Sequence, residues 1–173
     1  SFGNWVTTSF TTLCSSVTSF TEGFESTTGA LFPSCWSKVG GTGSAYTQAS
    51  TGISGARNVY MYSSSATSRP VVSMIAVSNA SAGTHRMVMK VRANFTAGET
   101  IELGYLTTPT DATTFTPINS IVTNSTSVPQ SFITIPSGLP AGDVVFALRT
   151  GTALYSVLID DVSWEPLPLC PDQ

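Results

Sequence analysis

Two adjacent carboxylates, Asp160 and Asp161, interrupt the apolar run VLIDDVSWEP at residues 157–166. Successive side chains of a β-strand point to opposite faces, so whichever face is buried receives one of the two. An unpaired buried carboxylate is costly, and a cation, an arginine or a proton must compensate it. Val162 and Trp164 read as core positions of this strand and Asp160 shares their parity. Asp160 is therefore expected inward and Asp161 outward. A second group suits ligand binding. Tyr60, Tyr62, Arg86, Lys90, Arg92 and Arg149 fall on the outward parity of their own runs. If those runs are neighbours, they make a tyrosine and guanidinium face on which a sugar ring stacks while polar groups surround it. The competing reading puts both tyrosines in the core and leaves the basic groups solvated. Trp36 and Trp164 read as core residues. The single histidine, His85, lies beside a glycine turn in SAGTHRM and supports no Ser–His–Asp arrangement.

The elements that must position these residues are strands. Short alternating runs bounded by Gly, Pro, Asn and Ser recur along the chain, and no sustained 3.6-residue period competes with them. In RMVMKVRANF, Met87, Met89 and Val91 share one face; Arg86, Val88, Lys90 and Arg92 share the other. TIELGYL follows after AGET, and a hairpin is the simplest connection between the two. NVYMYSS sets Val59 and Met61 against Tyr60 and Tyr62, and DVVFALRT sets Val144, Phe146 and Leu148 against Val145, Ala147 and Arg149. Further strands are expected at residues 71–77, 118–123 and 130–135 and at SVLIDDVSW. GGTGSAYTQASTGISG and TTPTDATTFTP read as loops. The 173 residues, 41% of them hydrophobic, suffice for one domain with a substantial core. Only 10% are charged, against roughly a quarter in an average soluble protein. With a net charge of −3 and no dense basic run, nucleic acid is not an expected partner. No apolar run approaches the ~20 residues of a membrane span, and a secreted or cell-surface location is expected.

The order Cys14, then GFES with Glu25, then FPSCW with Cys35 and Trp36, then LIDDVSW, resembles MAM-type jelly-roll domains. It is most similar to the bacterial adhesin-type relatives in large secreted proteins of the Bacteroidetes type, and IELGYLTTPTDATTFTPI is similar to the middle of those domains. The resemblance covers residues 15–166 and implies an all-β fold, an antiparallel two-sheet jelly-roll β-sandwich. SFGNWVTTSFTTLC resembles the last strand of a fibronectin type III module and LCPDQ the start of another. Residues 1–14 are thus expected to end a preceding module or linker, and residues 167–173 to lead to a following one.

The resemblance further implies a disulfide between Cys14 and Cys35, with Cys14–Cys170 as the main rival. It implies that the first and last strands lie side by side, with Glu25 on the first and Asp160 on the last. A structural Ca²⁺ held by Glu25, Asn58, Asp160 and Asp161 follows as an expectation, since Ca²⁺ takes six to eight oxygen ligands. The alternative is that backbone N–H groups or Arg57 satisfy Asp160. Glu22, Glu25, Asp160 and Asp161 contain the makings of a glycosidase acid/base pair. Committing Glu25 and Asp160 to a metal or to strand-end contacts leaves too few carboxylates for that role. The expected function is a non-catalytic module that binds a polysaccharide or glycoconjugate and is covalently attached to neighbouring modules. A protein-interaction, adhesion or spacer module is the alternative, and a hydrolase domain comes third.

Overall fold

The computed structural model describes residues 14–49 and 53–169. Trp5, Cys170 and the rest of residues 1–13 and 170–173 lie outside the described residues. The strands, in chain order, are β1 (Phe20–Glu22), β2 (Ser37–Gly40), β3 (Ser44–Ala49), β4 (Arg57–Tyr62), β5 (Val71–Val77), β6 (His85–Ala93), β7 (Thr100–Leu106), β8 (Phe115–Val122), β9 (Gln130–Thr134), β10 (Val144–Thr150) and β11 (Ser156–Pro166). They form two antiparallel sheets, the expected jelly-roll sandwich. One has the order β3-β4-β11-β6-β9, with β1 also paired to β11; the other has the order β2-β5-β10-β7-β8.

The alternating runs supply the core between the sheets. Val59 and Met61, then Met87, Met89 and Val91, and then Val144, Phe146 and Leu148 are all buried there. Trp36 and Trp164 are core residues, as expected. Trp36 meets Phe20 and Phe24 edge-on at 5.9 and 5.5 Å between ring centres. Trp164 packs on Phe146, and its indole N–H donates to Asn79 Oδ1 at 2.9 Å. That bond satisfies the one polar atom of a ring otherwise suited to an apolar interior.

Three expectations are corrected. β6 and β7 do not form a hairpin: β6 pairs with β11 and β9, while β7 pairs with β10 and β8 in the opposite sheet. The AGET segment instead binds the end of β8. Gly98 N donates to Thr123 O, Thr123 N to Glu99 O and Glu99 N to Thr123 Oγ1. GGTGSAYTQASTGISG is not simply a loop, because SAYTQA forms edge strand β3 against β4. Glu25 is not on the first strand, which ends at Glu22.

Candidate functional site

The two aspartates sit where β11 changes partners. β4 pairs with Ser156–Ile159 and β1 with Val162–Trp164, and the register with β6 shifts between Asp160 and Ser163. Asp161 has a φ of 48°. Val157 and Ile159 face the core before this bulge and Val162 and Trp164 after it, so the strand skips one position of its alternation. Asp160 therefore lies on the outer face, beside Lys90 in the pairing, and the parity shared with Val162 does not hold. It is nevertheless fully buried, because the segment before β4 folds over it. Ser54 N donates to Oδ2 at 3.1 Å and Asp161 N to Oδ1 at 2.8 Å. Asp161 is partly exposed and pairs with Lys90 Nζ at 2.7 Å.

Glu25 reaches the same segment from the turn after β1. Its Oε1 accepts from Ala56 N and Arg57 N, both at 2.9 Å. A Cβ added to Gly55 would lie 2.2 Å from that oxygen, so the glycine is required by this close approach and by its φ of 56°. Arg57 turns away from Asp160 and donates to Thr27 Oγ1 and Gly29 O. Asn58 is buried, and its Oδ1 faces Gln48 Nε2 at 3.4 Å. Burial, helped by the neighbouring Asp161 charge, pushes the Asp160 carboxyl up to about 6 against the N–H donors of Asp161 and Ser54. At Asp161 burial acts in the same direction, but the Lys90 ammonium and the Ser54 hydroxyl outweigh it and hold the carboxyl below its ordinary range.

Tyr60 and Tyr62 are half-buried on the outer face of the six-stranded sheet, opposite the core. Across this face, Tyr46 pairs with Tyr60, Tyr60 with Leu158, and Leu158 with Arg92; in the next row Tyr62 pairs with Ser156. Tyr46 stacks on Tyr60 with ring centres 5.1 Å apart. A shallow cavity of about 280 Å³ is lined by Tyr60, Tyr62, Phe95, Leu154, Tyr155 and Ser156. Phe95 is 83% exposed. The loop carrying Leu154 and Tyr155 is held by Glu99, itself buried, whose Oε2 accepts from Tyr155 N at 2.8 Å.

The expected basic residues separate. Arg86 binds Glu165 through Nε and Nη2 at 2.9 and 2.7 Å, and Lys90 binds Asp161. Arg92 shares their face and has no hydrogen-bond acceptor among the described residues; its Nε is buried. Arg149 belongs to the other sheet. There it shares Glu102 Oε2 with Arg69 and covers the Phe115 ring, so it is not part of the tyrosine face. Tyr46, Phe95, Tyr155 and Glu99 were not evident from the sequence. Tyr46 sits in a Gly- and Ser-rich stretch, and the other three sit at strand ends or in connections, where alternation carries no signal.

No protein-family model and no curated protein matches the sequence. Solved structures do. The K1 cleaved adhesin domain of Lys-gingipain from Porphyromonas gingivalis W83 is similar with a TM-score of 0.65 at 16% identity, over 88% of this chain and all of that one. The K2 cleaved adhesin domain of Lys-gingipain gives 0.62 at 20% identity, over 84% and 97%. A xylan-binding domain from Paenibacillus barcinonensis gives 0.59 at 12% identity, over 87% and 95%. The chain thus shares a β-sandwich fold with bacterial adhesin and carbohydrate-binding domains. Among the described residues no helix is long and apolar enough to cross a membrane.

Proposed function

We propose that this chain is a non-catalytic carbohydrate-binding module of a secreted or cell-surface multidomain protein, with its ligand on the outer face of the six-stranded sheet. The observation that carries the reading is the convergence of Tyr60, Tyr62, Phe95 and Tyr155 around one open cavity, away from the core. Aromatic rings at an open surface offer an apolar platform, and the Thr96 side chain beside them offers a polar contact that can orient a sugar. The similarity to a xylan-binding domain supports the reading at the level of fold.

The test is a pull-down on insoluble polysaccharides followed by titration of whichever one binds. Tyr62→Ala should weaken binding about tenfold, about 1.4 kcal/mol, without a matching loss of melting temperature. Binding to no glycan would sink the proposal. A second reading, a protein-interaction module, is favoured by the apolar side chains of Val122, Val128, Ile133 and Ile135, each more than half exposed on or near edge strands β8 and β9.

A structural Ca²⁺ at the acidic loop belongs to the same proposal. Glu25, Asp160 and Asp161 each accept a hydrogen bond from the Ser54–Arg57 segment, and Lys90 pairs with Asp161. Carboxylate oxygens are the hard ligands Ca²⁺ takes, six to eight at a time. Among the described residues no three His, Cys, Asp or Glu side chains converge closely enough to hold a metal by themselves. Asn58, the Ser54 hydroxyl and backbone carbonyls would therefore have to complete the shell.

A further inference from the structure

We infer that the glycan recognised on the tyrosine face is acidic, and that Arg92 binds the carboxylate of a uronic acid residue in it. This rests on the carbohydrate-binding reading and names the class of sugar. The chain has seven Lys and Arg residues. Six have acceptors: Lys38 donates to Gly43 O, Arg57 to Thr27 and Gly29, Arg69 and Arg149 to Glu102, Arg86 to Glu165 and Lys90 to Asp161. Arg92 is the exception among the described residues. Its Nε is shut away from solvent without a partner. The guanidinium stem is thus held by packing, and no acid among the described residues neutralises its charge.

Its position relates it to the aromatic platform. Arg92 and Tyr60 flank Leu158 from opposite sides in one row across the sheet. Two strand spacings, about 10 Å, separate them, a distance that a short run of linked sugar rings spans. On the same chain segment, three residues further on, comes the exposed ring of Phe95. A sugar chain crossing the strands from Tyr60 would bring a neighbouring residue to the guanidinium. The planar fork of terminal nitrogens matches a carboxylate with two parallel hydrogen bonds, which a neutral hydroxyl cannot reproduce. The net charge of −3 disfavours unselective attraction of polyanions.

The test compares polygalacturonate, alginate and glucuronoxylan, each with its carboxyl-reduced neutral form, with dextran sulfate as a separate polyanion. The wild-type chain should bind at least one carboxylated polymer tenfold or more tightly than its reduced form. Arg92→Gln should bring the two within about twofold, by weakening binding of the carboxylated form. Arg92→Lys keeps the charge without the fork and should retain less than about a third of the preference; this variant decides the matter if Arg92→Gln fails to fold. Equal binding of every pair, a preference that survives Arg92→Gln, or equally tight binding of dextran sulfate overturns the acidic-sugar inference alone. Binding of no polymer, charged or neutral, overturns it together with the carbohydrate reading.

Discussion

A carboxyl group with no exposed surface, as at Asp160, is held between opposing influences. Two backbone N–H donors favour its charged form, while burial and Asp161 disfavour it, and the result lies near 6 instead of 3.8. When the folded-state value is raised, the native protein binds the proton more tightly than the unfolded chain does. Its ionisation therefore costs stability as pH rises from about 4 through about 6, and the full cost, about 3 kcal/mol, is present at neutral pH. In chelator, the stability of Asp160→Asn relative to wild type should thus increase by most of that amount between pH 4 and pH 7, as read from urea midpoints. Saturating Ca²⁺ should shrink the difference if the ion occupies the loop, because a cation holds the carboxylate ionised. A difference that does not vary with pH in chelator would show that the carboxyl is not perturbed. The burial of this residue was legible from its apolar neighbours. The face was not, because one extra residue in a strand inverts every later position and leaves no mark on the composition.

At the level of elements, the alternating runs β4, β6, β7 and β10 were readable, β6 most clearly, since each sends one set of side chains into the core. Connections were not. A glycine turn between two strands reads as a hairpin, but the ladder that AGET joins is set by Thr123, far away in sequence. Glu99 is the hinge of this arrangement. Its carboxylate accepts from Thr100 N at 3.0 Å and Tyr155 N at 2.8 Å, which ties the β6–β7 connection to the loop before β11. Charged hydrogen bonds of this kind are worth about 1.5–3 kcal/mol each, and their loss strands backbone donors. Glu99→Ala should lower stability by at least about 2 kcal/mol and weaken glycan binding as well, because Leu154 and Tyr155 lose their anchor. Intact glycan affinity in a destabilised Glu99→Ala protein would remove this loop from the ligand face.

On the scale of the whole molecule, the opening segment bridges the two sheets. β1 joins the six-stranded sheet through β11, and β2 joins the five-stranded sheet through β5. Between them, the Cys14–Cys35 disulfide forms as the family resemblance implied, and Trp36 packs on Phe20 and Phe24. The bond spans 21 residues. In the chain-entropy account, closing such a loop stabilises by about 3 kcal/mol through the unfolded state. A sandwich whose core draws on both sheets has stability to lose before it unfolds, typically about 5–15 kcal/mol in all. The tyrosine face is built from β3, β4, β6 and β11 and takes nothing from the bridged segment. Replacing both cysteines by serine should therefore lower stability by about 3 kcal/mol in urea unfolding, with a steeper urea slope because the uncrosslinked denatured chain is more expanded, and with glycan affinity preserved. A parallel fall in affinity would mean that the bridge shapes the ligand face through the stacked sheets. An unchanged midpoint would mean that Trp36 and its two phenylalanines hold the segment without the bond.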